Sequence, residues 1–120
     1  MGRPLSADEY ALLSFFGVAP TQLDPNDVPW AYNHSVYRAA DEIAQVSFAI
    51  APAVKDVRIL LTIAGANVFE FSAMRVEDVR CHYDKRRESL EVIISPRNSI
   101  WLSIKPRISI HQSFDGDLRK

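Results

Sequence analysis

The sequence predicts a mainly β (α+β) fold: an antiparallel β-meander or a two-layer sandwich of about seven or eight strands, with one N-terminal helix. Three observations predict it. Apolar residues alternate with polar ones from Ser89 to Ile110, and successive strand side chains point to opposite faces, so this period of two marks one buried face. Residues 6–17 carry helix start and stop signals ahead of that β-rich remainder. The later apolar runs are joined by short turns rather than crossover helices, which favours antiparallel neighbours and excludes a parallel α/β sheet. The 120 residues fit one domain, 1–120, large enough to bury roughly two-thirds of the unfolded surface.

In chain order, the helix is expected over 6–17. Ser6 with Glu9 three residues later reads as a capping box, and Asp8 and Glu9 suit the positive end of the helix dipole. Leu12, Leu13, Phe15 and Phe16 supply the apolar stripe, Gly17 the C-terminal cap, and Pro20 blocks continuation. Residues 18–34 are expected to form a long irregular loop, because Pro20, Pro25 and Pro29 alternate with Asp24, Asn26 and Asp27. Trp30 and Tyr32 are expected to pin that loop against something.

An antiparallel sheet is expected over 35–111. Ser35 to Ala40 is a first strand turning at Asp41-Glu42. Ile43 to Ile50 follows, with Val46, Phe48 and Ile50 on one face; then Val57 to Ile63, a turn at Ala64 to Asn67, and Val68 to Ala73 with Phe69 and Phe71 inward. Residues 74–78 read as a loop or one helical turn. Val79 to Tyr83 leads through a charged turn, Asp84 to Glu88, into a hairpin. There Leu90, Val92 and Ile94 share a face with Ile100, Leu102 and Ile104. Pro106 interrupts the pattern before Ile108 and Ile110, and residues 112–120 read as a frayed polar tail.

Composition narrows function. The net charge of -1 gives no global drive toward nucleic acid or an anionic membrane. The charge is uneven, however: residues 1–50 hold two basic and six acidic residues, while residues 51–120 are net basic. No apolar run approaches the roughly 20 residues of a membrane span, and the N-terminus does not read as a signal peptide. A single cysteine, Cys81, excludes an internal disulfide and fits a reducing compartment, so the expected location is cytoplasmic.

Catalytic patterns are sparse. His34, His82 and His111 lie in separate segments, with no HxH, HExxH or CxxC spacing, so no metal site is expected. Cys81 and His82 are adjacent on a strand and point to opposite faces, which keeps them from forming a nucleophile–base pair. With four glycines there is no phosphate-cradling loop, and no cofactor is expected. Lys85, Arg86 and Arg87, with Lys105 and Arg107 further on, are the best nucleic-acid candidates. Asp84 and Glu88 bracket the first cluster, and a solvated hairpin turn is the plainer reading.

The segment from Asp24 to Glu42 carries more. Trp30, Tyr32 and Tyr37 stand among Asp24, Asp27, Asp41 and Glu42. Aromatics dominate protein interfaces and acids steer basic partners, so these seven residues are the candidate partner-binding set. In size, single cysteine, helix before a β-meander and this acidic aromatic segment, the chain resembles the small single-domain immunity proteins of bacterial toxin–immunity systems. The resemblance implies a non-enzymatic inhibitor that binds a cognate toxin, often a nuclease and here a basic domain, and covers its active site. Other readings stay open beside it. One is a small ligand-binding or catalytic β-domain with a pocket between helix and sheet, using Tyr37, His82 or His111. Another is a homo-oligomer built through an exposed edge strand.

Overall fold

A computed structural model of the chain describes residues 4–24, 26–83 and 88–114. Its first element is helix α1, Glu9–Phe16. Asp8, not Ser6, is the N-cap: its carboxylate accepts the Ala11 N–H at 2.9 Å. Ser6 is drawn away by a tertiary partner, its backbone N–H donating to Asp78 Oδ1 at 2.7 Å and its hydroxyl to Oδ2. The expected capping box therefore does not form, and the helix begins three residues later than the sequence suggests. Gly17 ends it in the left-handed conformation (φ 72°), its N–H donating to the Leu13 carbonyl. Leu12, Phe15 and Phe16 are buried, each contributing roughly 1.5–3 kcal/mol of burial free energy. Leu13 faces solvent.

Nine strands follow among the described residues: β1 Thr21–Gln22, β2 Ser35–Ala40, β3 Ala44–Ala51, β4 Asp56–Ile63, β5 Ala66–Ala73, β6 Asp78–Tyr83, β7 Glu88–Ser95, β8 Asn98–Ser103 and β9 Ser109–Phe114. They form two antiparallel sheets, β1-β2-β3-β4-β5 and β6-β7-β8-β9. Both expected architectures are thus present at once: each sheet is a meander, and together they make two layers. Strand order follows chain order because, apart from the 23–34 loop between β1 and β2, the connections within each sheet are short. The 18–34 segment is more regular than expected. Thr21 and Gln22 fit between Pro20 and the next proline and pair with Val36 and Ser35, and Trp30–Tyr32 makes one 3-10 turn. The expected polar tail is shortened, since Gln112, Ser113 and Phe114 belong to β9. The charged turn at 84–87 and residues 115–120 lie outside the described residues.

Register sets the core. Tyr37, Phe48, Ile59 and Phe71 form one cross-strand row, and Ser35, Ile50, Val57 and Ala73 the next. From the other sheet, Val79, Leu90, Val92, Ile100 and Leu102 join the same buried cluster, with α1 packed against it. A one-residue slip would turn all of these out to solvent, so the apolar alternation fixes the pairing. Polar ties hold the pieces together: Ala7 N–H, just before α1, donates to the Val79 carbonyl of β6 at 2.7 Å, and Ile108 N–H links the two layers by donating to Asp41 Oδ2 at 3.0 Å.

Candidate functional site

The β1–β2 loop is built around Asn33, which is buried. Its Oδ1 accepts the Asp24 and His34 N–H groups, and its Nδ2 donates to the Asp24 and Val28 carbonyls. One amide side chain thereby replaces the backbone ladder that this proline-rich stretch cannot make. Asp24 Oδ1 accepts the Asn26 N–H at 3.0 Å, closing a tight turn, and Asp27 takes a left-handed conformation (φ 62°). Trp30 is half-buried and donates from Nε1 to the Tyr37 hydroxyl at 2.9 Å. Tyr37 is wholly buried, its ring stacked on Phe16 at 5.1 Å. Burial pushes its hydroxyl up to about 12, with Trp30's donated bond acting the other way and the Glu9 charge adding to the rise.

The seven sequence-selected residues therefore divide into three kinds. Asp24, Asp27 and Tyr32 are exposed, Tyr32 at 75%, as is Leu23 at 78%. Trp30 and Tyr37 anchor the loop from below, and the placement of Tyr37 in the core corrects the expectation that it belongs to the exposed face. Asp41 and Glu42 stand at the opposite end of β2, roughly 20 Å away along six extended residues. Asp41 is spent on the fold: its carboxylate accepts N–H groups from Ile108, Ile43 and Ala44, which hold it below the usual carboxylate range. Near it, exposed Ile43 borders a cleft with Ile63, Pro106 and Arg107. Asp24 to Glu42 is one segment in sequence but not one patch in space.

The groups with catalytic chemistry are split between opposite faces of the sheets. Cys81 sits on the core-facing side of β6, donating to the Ala11 carbonyl at 3.8 Å, and burial raises its thiol to about 11, so the thiolate is scarce at neutral pH. His82 faces the other way, with Nε2 2.8 Å from Glu91 Oε1 and its ring 4.9 Å from that of Trp101. His111 pairs across from Trp101 on the same outer face. Tyr37, by contrast, lies on the inner side of the other sheet. The space beneath α1 is filled by Phe15, Phe16, Tyr37 and Phe48. Among the described residues, no three of His, Cys, Asp and Glu gather as metal ligands would. Of the nucleic-acid candidates, Lys85, Arg86 and Arg87 lie outside the described residues, and Lys105 and Arg107 flank Pro106 in the β8–β9 connection.

Sequence reasoning missed Asn33. The only signal was an amide-bearing residue in the loop flank next to the first strand, and its role depends on carbonyls up to nine residues away.

No family model matches the sequence, and no curated protein does either. A chain in the solved structure of a contact-dependent growth inhibition toxin–immunity protein complex from Klebsiella pneumoniae 342 is similar in structure, with a TM-score of 0.77. The two are 20% identical in sequence, and the likeness covers 94% of this chain and 98% of that one. The fold is shared nearly end to end.

Proposed function

We propose that this chain is a non-enzymatic inhibitor: an immunity protein that binds and neutralises a cognate toxin in the cytoplasm of a bacterial cell. The observation that carries the reading is the architecture shared over almost the whole of both chains with a member of a toxin–immunity protein complex. The disposition of the side chains supports the inhibitor's role. Cys81 is held as a thiol by burial, Tyr37 is locked in the core, and His82 is engaged by Glu91 and Trp101. Neither Cys81 nor Tyr37 is poised as a nucleophile or as a base.

The surface offered to the partner is the outer side of the β1–β2 loop. Tyr32 and Leu23 supply apolar contact there, and Asp24 and Asp27 the charge that steers a basic partner. Asn33, Trp30 and Tyr37 hold this loop before binding, so little ordering cost opposes association. The test is affinity purification of the tagged chain from its native cell through a salt series, with mass spectrometry of what is retained. A basic protein recovered at one-to-one stoichiometry is expected. The Asp24→Asn/Asp27→Asn double variant keeps the acceptor for the Asn26 N–H and tolerates the left-handed backbone at position 27. It should lose at least about tenfold in affinity, worth about 1.4 kcal/mol, with its thermal midpoint unchanged. A chain that emerges alone overturns the inhibitor reading. A partner retained equally by the double variant overturns only the loop assignment.

A further inference from the structure

The outer face of the five-stranded sheet carries a second recognition surface. Arg38 on β2 pairs with Ser47 on β3, and Arg58 on β4 pairs with Ala49, two residues along the same strand. Ser47 also pairs with Leu60, and Ala49 with Val36. All six side chains thus share one face, with the arginines on one diagonal and the apolar Val36 and Leu60 on the other. The arginine Cα atoms are about 12 Å apart by strand spacing and rise. The small Ser47 and Ala49 between them leave a cleft of about 460 Å³ that both guanidinium groups can overhang.

Among the described residues, the two arginines outnumber the one carboxylate, Asp56, that lines this cleft. Arg38 donates to the Thr21 hydroxyl at 3.2 Å, and Arg58 has no hydrogen bond or ion pair among the described residues. Of the acids nearby, Asp56 lines the same cleft and accepts the Arg75 backbone N–H at 3.3 Å, and Glu70 pairs across from Leu60, diagonal to Arg58; among the described residues neither forms an ion pair with Arg38 or Arg58. His34 and the exposed Met74 complete the rim. Guanidinium groups are suited to two-pronged hydrogen bonding of carboxylates, and the apolar floor suits the side chains that flank one.

The geometry points to this groove as the docking site for an acidic, partly apolar segment of a protein partner. The inference rests on the inhibitor reading in one respect, namely that the partner is a protein. Continuity favours a protein over a nucleic acid. Arg38 bonds Thr21 in β1, three residues before Asp24, so the groove adjoins the acidic loop. A polyphosphate lying in the groove would meet that negative charge, whereas a protein surface can offer a carboxylate to the arginines and a cation to the loop.

The probe is a fluorescein-labelled peptide of alternating glutamate and leucine, titrated into the full chain by anisotropy and by amide NMR. Shifts confined to the outer residues of β2, β3 and β4 are expected. About tenfold weaker binding is expected for Arg38→Gln/Arg58→Gln, and no change for the control Arg107→Gln in the β8–β9 connection of the other sheet. Circular dichroism of each variant checks that the fold is intact. Shifts elsewhere, no binding at all, or equal loss in the control would overturn the groove. A single-stranded oligonucleotide of equal charge that binds more tightly, with the same dependence on the arginines, would overturn the protein partner in favour of nucleic acid. Because the peptide is not the native partner, failure here leaves the purification result standing, and a chain purified alone leaves the groove's peptide binding to be judged separately.

Discussion

Ser35 is wholly buried on the inner face of β2, opposite Ile50, and its hydroxyl has no hydrogen-bond partner. A buried hydroxyl left without a partner costs free energy that alanine does not. Ser35→Ala is expected to raise the stability to urea by roughly 1 kcal/mol; an unchanged or lowered midpoint would show that the hydroxyl is satisfied. Asp41 is the opposite case, since one exposed-side carboxylate serves three backbone donors from both sheets. Its folded pKa is depressed by the Ile108, Ile43 and Ala44 N–H groups, with Arg107 adding a smaller pull. Its stabilisation is therefore complete above the ordinary carboxylate value of about 3.9 and disappears as pH falls through the lower folded value. Asp41→Asn is expected to lower the urea midpoint at pH 7, and the gap from the parent protein should close toward pH 2. Asp78 adds acid sensitivity in the same window: burial raises its carboxyl, but the Ser6 hydroxyl and N–H and the Arg80 side chain outweigh that and hold it low. A pH-independent gap at Asp41 would mean that its shape matters and its charge does not.

At the level of elements, the β1–β2 loop behaves as an anchored strap. Its fixed point is the Trp30–Tyr37 hydrogen bond at the edge of the core. Tyr37→Phe keeps the ring stacked on Phe16 but removes the acceptor. It should cost about 1 kcal/mol and speed proteolytic nicking between residues 18 and 34 ahead of any cleavage in the sheets; unchanged nicking would show that Asn33 alone holds the loop. The strands were legible because period-2 alternation in β3, β4, β7 and β8 reports one buried face directly. Other features depend on partners that no local pattern names. The helix start moved because Ser6 finds Asp78, 72 residues away. β1 has two residues, too few to show a period. The spatial grouping of the candidate residues was hidden for the same reason. Composition singled out Asp24, Asp27 and Tyr32, which the structure leaves exposed, and nearness in sequence grouped them with Asp41 and Glu42, which stand at the other end of β2. The Arg38–Arg58 groove needs the registers of three strands at once, which alternation alone cannot supply.

The molecule as a whole poses a question of cooperativity, because its topology is so local. Residues 21–73 make one meander and residues 78–114 the other, with strands in chain order in each. Such a division would allow two independent folding units. The core argues against it. Phe48, Ile50 and Ile59 of one sheet and Leu90, Val92 and Leu102 of the other belong to a single buried cluster, and α1 closes it with Phe15 and Phe16. Separating the sheets would expose both apolar faces at once, at about 25 cal/mol for each Å². Neither sheet has a second layer of its own to replace that burial. The chain is therefore expected to unfold in one step as one domain. Nature has placed a reporter in each half: Trp30 on the loop of the first sheet and Trp101 on the outer face of the second. In Trp30→Phe the fluorescence follows only the second sheet, and in Trp101→Phe only the first. Within each variant, the fluorescence and far-ultraviolet dichroism transitions in urea should coincide in midpoint and slope, even though the two variants differ in stability from each other. Coincidence in both would mean that the loop and groove surfaces of the first sheet are held by the second, so that a core substitution at Leu102 weakens partner binding from across the molecule. A fluorescence transition that separates from the dichroism in either variant would instead make each sheet its own cooperative unit, with binding carried by residues 21–73 alone.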